Sequence, residues 1–177
     1  MIVRLLDAWK RFRANFWRSL LLDAALIGLV FFVIHSWQTR DLPIDQPAPE
    51  TVLALLDGSG VQSATRPGET GIVYFFAPWC FYCRSSIGNL QDLVDERRVS
   101  WGTVIALDYG SISEVQQFID ETEVTLPVLM GNDRTTADWQ IRGFPTYYVI
   151  DSEGQITSRS VGYSTLAGMW IRGWLAR

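Results

Sequence analysis

The stretch Val73 to Leu90, V-Y-F-F-A-P-W-C-F-Y-C-R-S-S-I-G-N-L, constrains this chain more than any other. Val73 to Phe76 is an unbroken apolar and aromatic run, which suits a strand covered on both faces. Pro78 ends it. From Arg84 to Glu96 apolar residues recur at Ile87, Leu90 and Val94, which is helical spacing. The chain therefore passes from a buried strand through a turn into a helix. Both cysteines of the protein, Cys80 and Cys83, sit at that junction. In the first turn of a helix, unpaired backbone N–H groups and the positive end of the dipole favour a thiolate over a thiol. Cys83 follows one turn later on the same side, the spacing of a short disulfide that can open and close.

Such a pair admits several readings. Structural zinc needs four ligands, or three plus water. The chain has no third cysteine, and its one histidine, His35, lies in a separate hydrophobic segment. Two soft thiolates suit copper(I). A purely structural disulfide usually staples a longer loop. A redox-active dithiol is the reading the position favours, and no metal is assigned to the site.

The N-terminal residues have a different character. Met1 to Arg18 carries Arg4, Lys10, Arg11, Arg13 and Arg18 against Asp7, net +4, which leaves the remainder at net −8. So acidic a remainder argues against nucleic-acid binding, which wants a basic face. Residues 1–18 read as a basic amphipathic segment, either lying on an anionic cytoplasmic leaflet or only setting topology. Leu20 to Trp37 follows as the most hydrophobic run. Eighteen helical residues rise about 27 Å, near the ~30 Å hydrocarbon core. Residues 19–37 are thus expected to form a transmembrane anchor, with Asp23 at its cytoplasmic edge and Trp17 and Trp37 as interface anchors. The positive flank puts the N-terminus in the cytoplasm and the rest outside. A cleaved signal peptide competes, but no small-x-small site follows the run. Residues 38–50, with Pro43, Pro47 and Pro49, read as a stiff linker.

Residues 51–177 then form the exported domain. Strands are expected at 51–56 and 61–63 (a hairpin), 71–76, 100–107, 126–130, 144–150 and 155–161. Helices are expected at 80–98, 114–121 (capped by Ser113), 134–140 and 164–175, the last with Leu166, Met169, Trp170 and Leu175 inward. Strands alternating with helices imply an α/β fold with a mixed sheet and helices on both faces. The segment G-F-P-T at Gly143 to Thr146 starts a late strand. Pro145 cannot donate to a central ladder, so it opens the strand or occupies a special turn. A cis Phe144–Pro145 bond would leave the Phe144 backbone free to pair with an extended substrate; a trans proline opening an edge strand is the alternative.

These motifs together, Y-F-F-A-P-W-C-F-Y-C-R, then L-P-V-L, then G-F-P-T-Y-Y-V-I-D-S-E-G-Q-I, resemble the thioredoxin superfamily in order and spacing. The L-P-V-L segment and the αβ insertion after Arg98 resemble its TlpA-like, membrane-anchored bacterial branch. C-R-S-S-I-G-N-L and the closing G-Y-S-T-L-A-G-M-W-I-R-G-W-L look most like the ScsD type, suppressors of copper sensitivity. The resemblance implies a thioredoxin-like fold in which Cys80 attacks, Cys83 resolves, Trp79 packs beside the pair and Pro145 is cis. Phe144 lies on the substrate side; Phe81 and Tyr82, unlike the family's usual Gly-Pro or Pro-x between the cysteines, either merely pack or offer a partner protein an exposed apolar platform. The only redox group it implies is the Cys80–Cys83 disulfide itself. It also implies protein partners bearing thiols or disulfides, a transmembrane electron donor of the DsbD/ScsB kind, and a periplasmic location on the bacterial inner membrane. Two further positions depart from the pattern. Tyr74 stands where thioredoxin has a buried aspartate, and Ser86 where cytochrome-maturation members carry a glutamate. The expected function is a tethered thiol-disulfide reductase; an oxidase with the same site, or a non-catalytic module binding a partner or copper(I), are the alternatives.

Overall fold

The computed structural model describes residues 16–39 and 42–176. The basic segment expected over 1–18 lies outside the described residues as far as Asn15. The chain divides into two units, residues 1–40 and 41–177. In the first, helix α1 runs Phe16–Thr39, 24 residues. Most of its described side chains are exposed, among them Leu21, Leu26, Phe31 and Phe32. Asp23 accepts a hydrogen bond from Ser19 one turn earlier, 3.5 Å. Among the described residues no helix is long and apolar enough to cross a membrane.

The second unit is built on a six-stranded sheet. Its elements are β1 (Gln46–Pro47), β2 (Val52–Ala54), β3 (Val61–Ser63), β4 (Gly71–Phe76), α2 (Phe81–Asp95), β5 (Trp101–Ala106), α3 (Ile112–Thr122), β6 (Val128–Met130), α4 (Asp133–Asp138), β7 (Thr146–Ile150), β8 (Gln155–Val161) and α5 (Leu166–Leu175). The sheet order is β1-β8-β7-β4-β5-β6, and β2 pairs with β3 as a separate hairpin. Strands β4, β5 and β6 are parallel; β7, β8 and β1 run antiparallel to their neighbours. This is the mixed α/β sheet expected, with one strand more.

That extra strand corrects the reading of residues 38–50 as a linker. Gln46 and Pro47 pair with Ile156 and Gln155. Asp45 N–H donates to Ile156 O (2.8 Å) and Ala48 N–H to Gly154 O (2.9 Å). Leu42 is buried in the core. A proline at a sheet edge loses no ladder bond, so a Pro-rich stretch serves as an edge strand, and the folded unit begins near residue 41.

Strand β4 lies at the centre, and its alternation builds two cores. Ile72, Tyr74 and Phe76 face α2, α3 and α5, meeting Ile87, Leu90, Phe118 and Met169. Val73 and Phe75 face the other way, meeting Trp101, Trp139, Ile141 and Tyr148. Phe75 lies 5.1 Å from the Trp139 ring and edge-on to Tyr148 at 6.1 Å. Two buried polar groups here are answered: Trp139 Nε1 donates to Thr51 Oγ1 (2.9 Å), and Tyr148 OH to the Trp139 carbonyl (2.7 Å). The Thr103 hydroxyl, opposite Val73 on β5, has no hydrogen-bond partner among the described residues.

Two local expectations change. Ser111, not Ser113, caps α3 by accepting from Glu114 N–H at 3.3 Å. Ser113 instead bonds the Ser111 hydroxyl. In α5 the inner face is Met169 and Gly173, with Leu166 packed at its edge. Trp170 and Leu175 are exposed. Gly173 lies so close to Val99 that a Cβ would meet its methyl at 2.8 Å, and this approach sets the helix rotation. Trp170 is left under the Arg98 guanidinium at 5.3 Å.

A tighter approach occurs where β4 begins. A Cβ on Gly71 would enter the indole of Trp101, which is buried and hydrogen-bonded through Nε1 to Glu69 O at 3.0 Å. Gly71→Ala is therefore expected to destabilise the domain by about 1–3 kcal/mol through overpacking. The check is a lower denaturation midpoint with an unchanged m-value; an unshifted midpoint contradicts the close packing.

Candidate active site

All six residues of β4 are buried, and the chain leaves it through Ala77, Pro78 and Trp79. Cys80 N–H closes the turn onto Ala77 O at 3.0 Å. Cys80 is the N-cap of α2, with extended backbone (φ −78°, ψ 110°), and its Sγ accepts from Cys83 N–H at 3.1 Å. A sulfur thus takes the place of the usual capping oxygen. Cys80 and Cys83 are joined in a disulfide with Cα atoms 5.2 Å apart. Their exposures differ: Cys80 keeps 5% of its surface and Cys83 none. An external thiol or disulfide reaches Cys80 first. On reduction, the Cys83 N–H and the α2 N-terminus face the Cys80 sulfur, the surroundings that favour its thiolate.

Three aromatic side chains rim the pair. Trp79, Phe81 and Tyr82 are exposed by 66%, 73% and 58%, unusual for rings of this size in a domain with two filled cores. Phe81 and Tyr82 meet edge to face at 5.7 Å. Trp79 is fixed on both sides. Its Nε1–H is shared between the Asp108 carbonyl and Asp108 Oδ2, both at 3.1 Å. Its ring meets Phe144 edge-on at 5.8 Å. Phe144–Pro145 is a cis bond, as the resemblance implies. Pairing of β4 with β7 stops at Phe75 and Thr146, so Phe144 lies beyond the ladder's end. The structure thus gathers every expected site residue, Trp79, Cys80, Phe81, Tyr82, Cys83, Phe144 and Pro145, at one end of the sheet.

Tyr74 and Ser86, which stand where the resemblance implies carboxylates, bond to each other. Their hydroxyl oxygens are 2.9 Å apart. Ser86 has one proton, and it is directed at Tyr82 O, 2.7 Å away. Tyr74 OH is therefore the donor to Ser86. Both side chains are fully buried, and burial pushes the Tyr74 phenol well above its ordinary pKa. The wall behind the dithiol is accordingly neutral at any physiological pH. Tyr74 stacks parallel to Tyr147 at 6.5 Å, and Tyr147 OH accepts from Arg172 Nη1 at 3.1 Å.

Sequence reasoning did not single out Asp108. It follows β5 directly, at the carboxyl ends of the parallel strands, where open α/β sheets place their sites. That position was the available signal. Its backbone is left-handed (φ 48°), a conformation that costs energy in a non-glycine residue and clusters at functional sites.

Comparison with known proteins fits this geometry. A family model described as AhpC/TSA family matches residues 44–159. The chain belongs to the AhpC/TSA family. Among its relatives, the thiol-disulfide oxidoreductase ResA of Oceanobacillus iheyensis is 32% identical over 166 residues, covering 89% of this chain and 85% of ResA. The thiol:disulfide interchange protein DsbE of Allochromatium vinosum is 28% identical, covering 78% of each chain. In solved structures, a thioredoxin family thiol:disulfide interchange protein of Chlorobium tepidum superposes with TM-score 0.63 at 25% identity, over 74% of this chain and 95% of that one. This family member is a thiol-disulfide oxidoreductase, and its Cys80–Cys83 pair has the exposure and geometry the chemistry needs.

The buried phenols have a consequence at high pH. Burial raises both Tyr74 and Tyr148 above the ordinary tyrosine value near 10. Below that pH folded and unfolded chains both keep these protons, and neither phenol makes stability depend on pH. Above it the unfolded chain loses them while the folded chain retains them, so stability falls as pH rises, by up to about 1.4 kcal/mol per pH unit for each phenol. Tyr74→Phe should remove one such increment from the slope of unfolding free energy against pH between 10.5 and 12. An unchanged slope would show that Tyr74 titrates alike in both states.

Proposed function

We propose that this chain is a membrane-tethered, periplasmic reductase of protein disulfides, of the ScsD type. The observation that carries the chemistry is the difference in exposure between the two sulfurs, with Cys83 N–H aimed at Cys80 Sγ at 3.1 Å. Cys80 thiolate attacks one sulfur of a substrate disulfide, and the other sulfur leaves as a thiolate that takes a proton. Cys83 then gives up its proton and attacks Cys80 of the mixed disulfide, releasing the second substrate thiol. Two electrons pass from the Cys80/Cys83 dithiol to the substrate, and the pair is left as the disulfide. A dithiol donor of the DsbD/ScsB kind would return the electrons by the reverse exchange.

Phe81 and Tyr82 form the apolar platform on which a partner protein rests; their exposure beside Cys80 supports this. The tether rests on sequence: the apolar run Leu20–Trp37 behind a flank of net +4, which orients the folded unit outward. Outside the cytoplasm disulfides persist and a reductase has substrates.

Cys83→Ala is expected to accumulate mixed disulfides between Cys80 and its partners, seen as thiol-sensitive bands on non-reducing gels of membranes. Cys80→Ser should abolish both those bands and insulin reduction. Reduction that survives Cys80→Ser contradicts the mechanism. Stoichiometric copper(I) retention without exchange would favour a binding module. A pair found mostly oxidised in cells by thiol alkylation would reverse the direction to an oxidase.

A further inference from the structure

A cleft of about 430 Å³ opens against Trp79 and Phe144, the two rings that meet beside the disulfide. Ile141 and Gly143 complete its apolar part, and Asp108, Asp133, Thr136 and Arg142 line the rest. We propose that this cleft makes the enzyme select disulfides whose cysteine is flanked by a lysine or arginine, the cationic side chain lying between Trp79 and the Asp108 and Asp133 carboxylates. This rests on the exchange reading above and adds a substrate class to it.

Reach, charge and ring chemistry agree. Trp79 adjoins Cys80 in sequence and Phe144 adjoins Pro145, so a substrate sulfur bonded to Cys80 brings its own neighbours to the cleft mouth. Two extended residues span about 7 Å, and a lysine or arginine side chain adds to that reach. The charge around the cleft is unbalanced. Asp108 and Asp133 are both exposed and come from different segments, the end of β5 and the first turn of α4. The Trp79 indole uses one Asp108 oxygen, and a carboxylate offers about four acceptor sites in all. Arg142 also lines the cleft and has an interaction of its own, so two carboxylates against one guanidinium leave the lining net negative by one. Arg84, in the adjoining hollow on the Pro78 side of Trp79, is ion-paired with Glu121 and lies over the Phe118 ring at 5.2 Å. An incoming cation therefore meets a net excess of negative charge. The exposed face of Trp79 is the best aromatic surface for it. A glutamate in the same place would meet two carboxylates, and like charges oppose binding across an interface.

The test uses the full chain in non-ionic detergent, recharged by dithiothreitol, on disulfide-linked homodimers of blocked seven-residue cysteine peptides. One peptide carries lysine, the other glutamate, at the two positions on each side of the cysteine. Each kcat/KM is divided by the rate constant for reduction by dithiothreitol alone, which removes the intrinsic effect of charge on disulfide reactivity. The lysine-to-glutamate ratio is expected to be at least about fivefold at low salt. It should shrink in 0.5 M NaCl, fall toward one in Asp133→Asn and invert in Asp133→Lys. A ratio within one variant does not depend on how much of that variant is folded. A wild-type ratio of one or less overturns the inference and leaves exchange chemistry standing. So does a lysine preference that both Asp133 variants retain. Failure of the wild type to turn over either peptide above Cys80→Ser overturns the exchange reading and this inference with it.

Discussion

The hydrogen bond from Cys83 N–H to Cys80 Sγ is the contact on which the rest of the site depends. It exists because a cysteine stands where α2 needs a cap, and α2 begins there because β4 ends there. Strand β4 is held by parallel β5 on one side and antiparallel β7 on the other, with its six side chains shared between two cores. A strand so enclosed cannot slip by one residue without turning Val73 and Phe75 into the wrong core. Its register therefore sets where Cys80 sits to within a residue. The sheet acts on chemistry through this geometry: it fixes a sulfur at a helix N-terminus, with 5% of its surface open and its partner sulfur sealed beneath.

The neutral wall behind the dithiol follows from the same strand. Tyr74 points from β4 toward α2 and donates a hydrogen bond to Ser86, which donates its own to Tyr82 O. No carboxylate in this pair shifts charge as the sulfurs change state. Stabilisation of a Cys80 thiolate then falls to the Cys83 N–H and the α2 dipole, which are fixed groups that need no reorganisation. The pair also ties the turn carrying Tyr82 to the central strand. Tyr74 and Ser86 thus form one unit: a buried tyrosine needs an acceptor, and the serine supplies it.

How legible the molecule is in its sequence depends on how local the cause is. The β4–α2 junction could be read because a strand period, a proline break and a helical period follow one another within eighteen residues. Element types along the folded unit could be read for the same reason. The edge strand Gln46–Pro47 could not, because prolines signal a linker and only the partner strand β8 makes them a strand. The inner face of α5 was misread at Trp170 and Leu175, since hydrophobicity outweighs size in a sequence pattern whereas a close helix approach admits only Gly173. Asp108 was invisible for a similar reason. Nothing in its neighbours along the chain announces that Trp79, twenty-nine residues earlier, will place an indole N–H on it.

Trp79 shows what the fold adds to a two-cysteine motif. Its indole touches the loop after β5 through Asp108 and the loop before β7 through Phe144, while its own backbone carries Cys80. Three segments separate in sequence converge on one exposed ring. Because that ring is pinned at both ends, a partner that stacks on it loses little side-chain freedom from the enzyme, which lowers the cost of ordering a transient interface. The cost of the arrangement appears in the left-handed backbone of Asp108 (φ 48°), a local strain sustained by the buried strand β5 immediately before it. Chemistry at the sulfurs is therefore set by one helix cap, whereas the ring beside them is held by two other segments, the loop after β5 and the loop before β7.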